Sequence, residues 1–271
     1  MADALRLAGY REPLGLWTRR APPPTDYPEL RALGFEFSSR GDRVTGRLLL
    51  PQGSEGPYPL VLLQHGAGGS AHAPYLEATA GPWARRGLAV ASIDFPLHGP
   101  RADQKLAEQL PRGFDVGGGA EVSVLALEFA RQAVIDLERA LDALSSMDVV
   151  DPDRVAYAGF SLGAMIGAAF CGLDARPRAA ALALGGAGLG PAGADPAEYV
   201  GRVAPRPLLL VNALQDEVVP RSAADALFEA AGDPKRQLWF EAPHDQLPGA
   251  ALKAMWLFLA DQLEIGPGEE R

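Results

Sequence analysis

Apolar residues follow two patterns along this chain: short continuous runs, and longer segments with an apolar residue at every third or fourth position. The runs at 59–64, 88–94, 155–159 and 207–213 are typical of strands buried on both faces of a sheet. The clearest long segment, 120–147, predicts an amphipathic helix. Further strands are predicted at 179–184 and 237–240, and further helices at 75–86, 164–170, 222–231 and 247–263. This alternation predicts an α/β fold, with a mainly parallel sheet between helices.

The N-terminal region does not follow this alternation. Prolines between residues 13 and 28 oppose a long helix, so we predict an irregular arm over 1–33, with at most one short helix near 2–8. The segments 35–39 and 44–50 flank a glycine-containing turn and predict an antiparallel hairpin.

Later segments are interrupted by glycine and proline. Gly81 and Pro82 are expected to interrupt the helix at 75–86. The stretches 95–119 and 185–205 are rich in small residues and proline, and the first, directly after a strand, is expected to lie over the end of the sheet. We therefore predict a single domain over 34–265, in which these two stretches are minimal cap elements.

Composition and charge exclude several classes of protein. The chain has 271 residues, of which 48% are hydrophobic, and a net charge of −9 without any large Lys/Arg cluster, which argues against nucleic acid as a partner. No run approaches the roughly 18 apolar residues of a membrane span. Cys171 is the only cysteine, so neither an intrachain disulfide nor a Cys-rich metal site is possible. The first ten residues lack the apolar core of a signal peptide, and we expect a cytoplasmic protein.

The strand at 155–159 leads into Gly159-Phe160-Ser161-Leu162-Gly163 and then into a helix of small residues. A Gly-x-Ser-x-Gly sequence between a strand and a helix is typical of a serine held on a sharp turn with its hydroxyl exposed. The five-residue pattern alone has little specificity, and a tight turn without chemistry is the alternative. If the serine is a nucleophile, the chain must also supply a base, an acid and donors for an oxyanion.

A second glycine-rich loop follows the strand at 59–64. Its sequence is His65-Gly66-Ala67-Gly68-Gly69, and backbone amides in such a loop, unhindered by side chains, can point at a developing oxyanion. An ordinary glycine-rich turn is the alternative. A phosphate-binding loop is disfavoured, because no Gly-Lys-Ser/Thr sequence follows.

Of the four histidines, only His244 lies after Ser161 in the sequence, in a loop that follows the last predicted strand. In hydrolases with this alternation of strands and helices the base follows the nucleophile, so His244 is the candidate base. Asp216 is the leading acid because it follows the strand at 207–213, and Glu217 is the fallback. The other acidic residues between serine and histidine are Asp174, Asp195, Glu198, Asp225, Glu229, Asp233 and Glu241.

The two glycine-rich loops, the run Asp216-Glu217-Val218-Val219-Pro220 and His244, in this order, resemble the α/β-hydrolase superfamily. The resemblance covers residues 35–262 and is nearest to the dienelactone-hydrolase, acetyl-esterase and prolyl-oligopeptidase-like branch. Two features depart from relatives: His65 is not followed by three consecutive glycines, and Pro243 precedes the base where many relatives have glycine.

The resemblance implies a serine esterase that acts on small to medium carboxylic esters without a metal or organic cofactor. Ser161 would be the nucleophile, His244 the base and Asp216 the acid that orients it, while the amides of Ala67 and Leu162 would form the oxyanion hole. The substrate pocket would include His65, Gly66, Phe95, His98 and Phe160, with His65 mainly shaping its loop.

Two other functions stay open: a peptidase or acyltransferase with the same triad, and a non-catalytic protein with a hydrolase fold. Neither the natural substrate nor the oligomeric state is indicated by the sequence.

Overall fold

Nine strands in the described part of the chain form one mixed sheet. A computed structural model describes residues 3–7, 10–53, 56–108 and 120–266. The strands are β1 (Trp17–Ala21), β2 (Arg31–Ser39), β3 (Asp42–Leu50), β4 (Tyr58–Gln64), β5 (Ala89–Ile93), β6 (Val150–Phe160), β7 (Ala180–Ala183), β8 (Leu208–Ala213) and β9 (Lys235–Phe240).

Helices connect most of these strands. They are α1 (Pro74–Arg85), α2 (Gln104–Ala107), α3 (Ala120–Ser145), α4 (Leu162–Leu173), α5 (Ala197–Val200), α6 (Arg221–Ala230) and α7 (Gly249–Gln262). Short 3₁₀ turns cover Gly99–Arg101 and Gly201–Val203.

The strand order in the sheet is β1-β2-β3-β5-β4-β6-β7-β8-β9. Strands β4 to β9 run parallel, whereas β1, β2 and β3 form an antiparallel end that joins the parallel part through β5. The order reverses around β4, and the carboxyl ends at such a reversal are where open α/β sheets bind ligands. Both the predicted α/β fold and the predicted hairpin, which is β2 and β3, are confirmed.

The apolar runs form two cores, one on each face of the sheet. Along β4, Leu60 and Leu62 pack in the core that includes α3 and α4, whereas Val61 and Leu63 pack in the core that includes α1 and α7. All seven residues of β4 are buried, which is why its sequence is continuously apolar and does not alternate.

The prediction of an irregular N-terminal arm is wrong for residues 17–21, which form the edge strand β1, and for residues 31–33, where β2 begins. Four of the five residues of β1 are exposed, so this strand has no apolar pattern and is held by backbone pairing with β2. The predicted short helix near the N-terminus is also wrong over residues 3–7, where the backbone forms a turn and Leu5 is fully buried in the core.

The predicted interruption of the helix at 75–86 is wrong, because α1 continues from Pro74 to Arg85 with Pro82 inside it. Proline removes one backbone donor from the helix, and the neighbouring turns tolerate this loss here. Gly81 has a packing role: a Cβ at this position would lie 2.3 Å from the ring of Tyr27.

The first predicted cap stretch contains the 3₁₀ turn at Gly99–Arg101 and the single turn of α2, and its part at 109–119 lies outside the described residues. The second contains α5 and the turn at Gly201–Val203. None of the helices that the structure describes is both long and apolar enough to span a lipid bilayer.

Candidate active site

The turn between β6 and α4 carries Ser161 at the carboxyl end of the sheet. Its backbone has φ 51° and ψ −113°, a conformation that non-glycine residues rarely adopt and that costs about 1–3 kcal/mol. The Ser161 N–H donates to the carbonyl oxygen of Ala183 at 2.8 Å, which ties the turn to the end of β7. A strained serine between a strand and a helix is the geometry of a nucleophile elbow.

The glycines on either side of Ser161 are required by close backbone contacts. A Cβ on Gly159 would lie 2.4 Å from the carbonyl oxygen of Gly163. A Cβ on Gly163 would lie 2.8 Å from the carbonyl oxygens of Gln64 and His65, at the end of β4. Because backbone atoms on both sides cannot move aside, larger residues would displace the serine.

Ser161, His244 and Asp216 form a continuous chain of hydrogen bonds. The Oγ of Ser161 lies 2.9 Å from Nε2 of His244, and Nδ1 of His244 lies 2.8 Å from Oδ2 of Asp216. The side chains of His244 and Asp216 are 18% and 6% exposed, so the acid is buried more deeply than the base. The fold therefore brings His244 into contact with Asp216, 28 positions away in the sequence, and with Ser161, 83 positions away.

Asp216 is oriented by its own loop. Its Oδ1 accepts the backbone N–H groups of Val218 and Val219, both at 2.8 Å, and this leaves Oδ2 to face His244. Glu217, the alternative acid, is exposed. The loop after β8 also contacts the loop that carries His244, because the backbone N–H of Gln215 donates to the carbonyl oxygen of Ala242 at 3.0 Å.

The loop after β4 forms a tight turn beside Ser161. The Gly69 N–H donates to the Gly66 carbonyl oxygen at 3.1 Å, and Gly68 has φ +74°, as in a type II turn. A Cβ on Gly66 would lie 3.2 Å from Cβ of Ser161 and 3.8 Å from its Oγ, so a larger residue at this position would crowd Ser161.

Two backbone amides near the serine are free. Among the residues that the structure describes, neither the N–H of Ala67 nor that of Leu162 donates to a protein acceptor. Ala67 is exposed in the turn, and Leu162 is the first residue of α4, where an amide has no partner within the helix. Together with the triad geometry, these two donors are suited to acyl transfer.

Comparison with known families agrees with this chemistry. The model of the acetyl xylan esterase (AXE1) family matches residues 23–184, which is more than half of the chain and includes Ser161 and the turn at Gly66. The chain belongs to the acetyl xylan esterase family. It is therefore a carboxylic ester hydrolase, and both the predicted enzyme class and the resemblance to the α/β-hydrolase superfamily are confirmed. The match ends before Asp216 and His244.

Solved structures place this acetyl xylan esterase family member in the same fold. An acetyl xylan esterase from Paenibacillus sp. R4 is 23% identical with a TM-score of 0.75, and the alignment covers 92% of this chain and 89% of that chain. A cold-adapted esterase from an Arctic intertidal metagenomic library is 25% identical with a TM-score of 0.72, over 86% of this chain and 94% of that chain. Acetyl Xylan Esterase 1 from Thermoanaerobacterium sp. JW/SL YS485 is 17% identical with a TM-score of 0.70, over 95% of this chain and 89% of that chain.

The predicted pocket residues of this family member lie in two places. Gly66 and Phe160 border Ser161 directly. His65, Phe95 and His98 pack together behind the loop, with the His65 ring centroid 4.9 Å from that of Phe95 and 5.1 Å from that of His98. His65 and Phe95 are completely buried, so the structure places them beneath the loop and not on an open surface.

His65 is neutral and holds the loop. Its Nε2 accepts the Phe95 N–H at 3.2 Å, so Nδ1 carries the proton and donates to the Gly66 carbonyl oxygen at 2.8 Å. The pKa of His65 is lowered from 6.5 to about 4, mainly by burial and also by the nearby His98, against the opposite effect of the hydrogen bond to Gly66. The loop therefore keeps one tautomer at neutral pH.

Asp94 was not found from the sequence pattern, although it follows β5 directly. It is 1% exposed, and its Oδ1 accepts the Ala71 N–H at 2.8 Å while its Oδ2 accepts the Thr45 hydroxyl at 2.6 Å. Asp94 thus fixes the far end of the loop that begins at His65. The sequence feature that could have indicated Asp94 is its position at the carboxyl end of a predicted strand.

Metal ligation has no candidate set in the described residues. No group of three or more His, Cys, Asp or Glu side chains among them is close enough to hold an ion. Burial raises the pKa of the Cys171 thiol well above its usual range, so it is a poor metal ligand.

Proposed function

We propose that this chain hydrolyses carboxylic esters with small to medium acyl groups through a covalent acyl-enzyme on Ser161. The observation that carries the proposal is the pair of hydrogen bonds, 2.9 Å from Ser161 to His244 and 2.8 Å from His244 to Asp216. A serine hydroxyl becomes a useful nucleophile only when a positioned base removes its proton, and that base must in turn be oriented.

In acylation, Oγ of Ser161 attacks the ester carbonyl carbon and its proton passes to Nε2 of His244. Asp216 accepts the Nδ1–H of His244, holds the required tautomer and stabilises the imidazolium that forms. The N–H groups of Ala67 and Leu162 donate to the oxyanion of the tetrahedral intermediate. The imidazolium then protonates the alcohol oxygen as the carbon–oxygen bond breaks, and the alcohol leaves.

Deacylation repeats these steps with water. His244 takes a proton from a water molecule, whose oxygen attacks the acyl carbon, and the proton then returns to Oγ of Ser161 as the carboxylic acid is released. Each step uses protein groups and water alone.

The family supports acetyl esters as the first substrates to examine, since its name and that of the Paenibacillus relative both specify acetyl xylan. We therefore include acetylated xylan and acetylated xylo-oligosaccharides among the proposed substrates, beside simple short-chain esters.

The test is hydrolysis of a chromogenic ester series, from acetyl to long-chain, by the wild type and by Ser161→Ala. We expect activity that is highest for short acyl groups and that falls by about 10⁴-fold or more in the variant, because the nucleophile is lost. Ser146→Ala is the matched control: this exposed serine lies just beyond α3, and its hydroxyl donates to the Ala143 carbonyl oxygen. It should retain full activity.

Each other outcome contradicts part of the proposal. Activity that survives in Ser161→Ala would mean a different nucleophile. A wild type that cleaves no ester but cleaves peptides, or transfers acyl groups to an alcohol in place of water, would favour the alternative enzymes. A wild type that is inert and whose Ser161 fails to react with an alkyl fluorophosphonate would favour a binding protein.

A further inference from the structure

Tyr75 stands between the two segments that build the proposed oxyanion hole. It is the second residue of α1, directly after the glycine-rich loop, and is 43% exposed. Its ring packs edge-on against that of Phe160, with centroids 5.7 Å apart and an interplanar angle of 89°. Phe160 precedes Ser161, so one side chain contacts both the loop and the elbow.

The Tyr75 hydroxyl oxygen accepts the backbone N–H of Gly66 at 2.7 Å. The carbonyl oxygen of Gly66 accepts two further hydrogen bonds, from Nδ1 of His65 at 2.8 Å and from the Gly69 N–H at 3.1 Å. Both backbone polar groups of Gly66, which is buried, are therefore fully engaged.

The engagement of Gly66 determines where the next amide points. The Gly66 carbonyl and the Ala67 N–H belong to one planar peptide unit and point in opposite directions, so bonds that fix the carbonyl also fix the N–H. Tyr75 holds the preceding peptide unit and so restrains the two backbone rotations, φ and ψ, at the Gly66 Cα. Glycine is the residue that would rotate most freely without this restraint.

The hydroxyl of Tyr75 is suited to this acceptor role. Burial raises the pKa of Tyr75, against the effect of the Gly66 hydrogen bond, so the group stays neutral across the range in which an esterase works. A neutral hydroxyl accepts the Gly66 N–H without placing a negative charge beside the developing oxyanion.

We propose that Tyr75 is a positioning residue for the oxyanion hole, acting through the Gly66 N–H to hold the Ala67 N–H toward the carbonyl that Ser161 attacks. This inference rests on the proposed function, in which Ala67 is an oxyanion donor. It predicts that Tyr75 contributes to stabilising the transition state and not to binding the substrate in its ground state.

The experiment is a double-mutant cycle between Tyr75→Phe and Ala67→Pro. Phenylalanine keeps the contact with Phe160 and removes only the acceptor, whereas proline removes the Ala67 N–H at the second position of a type II turn, where it is favoured. Steady-state kinetics on a short-chain ester and the affinity for a trifluoromethyl ketone, which forms an oxyanion adduct with Ser161, are measured for all four proteins.

We expect Tyr75→Phe alone to lower kcat by about 10- to 100-fold, with KM changed by less than about 2-fold, because one misdirected donor loses part of the 10²- to 10³-fold effect of an oxyanion donor. Affinity for the ketone should fall by a similar factor. In the Ala67→Pro background, the same change should lower kcat by less than about 3-fold, since the amide that Tyr75 positions is already absent.

Tyr27→Phe is the matched control, because Tyr27 also packs against α1 but at Gly81, distant from the loop. Tyr27→Phe should leave both kcat and KM unchanged.

Three outcomes would overturn the inference. The first is an unchanged kcat in Tyr75→Phe. The second is an equal loss in both backgrounds, which would mean that Tyr75 acts on the general fold and not through Ala67. The third is a change confined to KM. A wild type that neither hydrolyses esters nor binds the ketone would instead overturn the proposed function, and with it this inference.

Discussion

The imidazole of His65 accepts a hydrogen bond from the backbone N–H of Phe95, 3.2 Å away, inside a fully buried site. A protonated imidazole has no lone pair for this bond, so the loop that carries Ala67 depends on a neutral histidine. The same arrangement couples folding to pH, because the unfolded chain can protonate this group more easily than the folded chain.

We expect the free energy of unfolding to decrease as pH falls below 6.5, the ordinary pKa of histidine. The pKa of His65 is lowered to about 4, so its contribution is complete above pH 6.5 and is lost progressively down to about pH 4. The shift corresponds to a loss of roughly 3 kcal/mol, at about 1.4 kcal/mol per pKa unit. Urea unfolding of the wild type and of His65→Asn across this range is the measurement.

His65→Asn should be less stable near neutral pH, but the difference from the wild type should narrow by roughly 3 kcal/mol as the pH falls from 6.5 to 4. His72→Asn is the comparison: partial burial and the nearby Arg47 also lower the pKa of His72, but its side chain is 56% exposed, so its difference from the wild type should narrow by less than that of His65→Asn. A constant difference between His65→Asn and the wild type would contradict a neutral, buried His65.

Asp216→Asn should lower kcat by about 10³- to 10⁴-fold without unfolding the protein. The backbone amides of Val218 and Val219 both donate to Oδ1, so the asparagine would keep its carbonyl oxygen there and turn its NH₂ group toward His244. His244 would then be held in the wrong tautomer. Steady-state kinetics with a short-chain ester and the thermal midpoint check both parts of this prediction.

The neighbouring acid supplies the control. Glu217→Gln changes the charge by the same amount at an exposed position and should alter kcat by less than about 2-fold, as expected for a residue outside the hydrogen-bonded chain. If the two variants had equal activity, Asp216 would not be the orienting acid.

Ala67→Pro by itself should lower kcat by about 10²- to 10³-fold, because it deletes one proposed oxyanion donor. The turn should survive, since Gly68 supplies the positive φ of +74° and proline is favoured at the position before it. Ala67→Gly keeps the N–H and is the control. A Pro variant with the activity of the Gly variant would place the oxyanion donor elsewhere.

The central strands of the sheet could be predicted from the sequence, whereas the edge strand β1 and the start of β6 could not. Strands such as β4 and β8 are buried along their whole length, so their sequences are continuously apolar. By contrast, β1 is exposed on four of its five residues and depends on hydrogen bonds to β2. Strand β6 begins at Val150 and not near residue 155, because Val150 and Asp151 already pair with β4, before a register shift that precedes Val155.

Most of the candidate active site could be predicted from the order of its residues and the predicted strands along the sequence. Ser161, Asp216 and His244 each follow a predicted strand, and parallel strands end at the same edge of a sheet, so their meeting could be expected. Tyr75 could not be found in this way. Its role depends on the angle at which α1 leaves the loop, and one aromatic residue near the start of a helix does not encode that angle.

Asp136→Asn should destabilise the protein by about 3 kcal/mol or more, because it removes one member of a buried ion pair. Asp136 is completely buried on α3, and its Oδ2 lies 2.7 Å from a guanidinium nitrogen of Arg101, which is itself 5% exposed. Arg101 also donates to the carbonyl oxygen of Asp94 at 2.8 Å, so this pair anchors the segment after β5 to the helix behind the site. Without the carboxylate, the guanidinium would stay buried with its charge incompletely balanced.

Asp42→Asn is the matched comparison, because Asp42 lies at the same 2.7 Å from Arg101 but its side chain is 55% exposed. Solvent screens that contact, so its loss should cost less than about 1 kcal/mol. Urea unfolding of the two variants compares the same guanidinium with a buried and an exposed partner. Equal destabilisation would mean that burial of Asp136 adds nothing, and a smaller effect for Asp136→Asn than for Asp42→Asn would contradict the anchoring role of the buried pair.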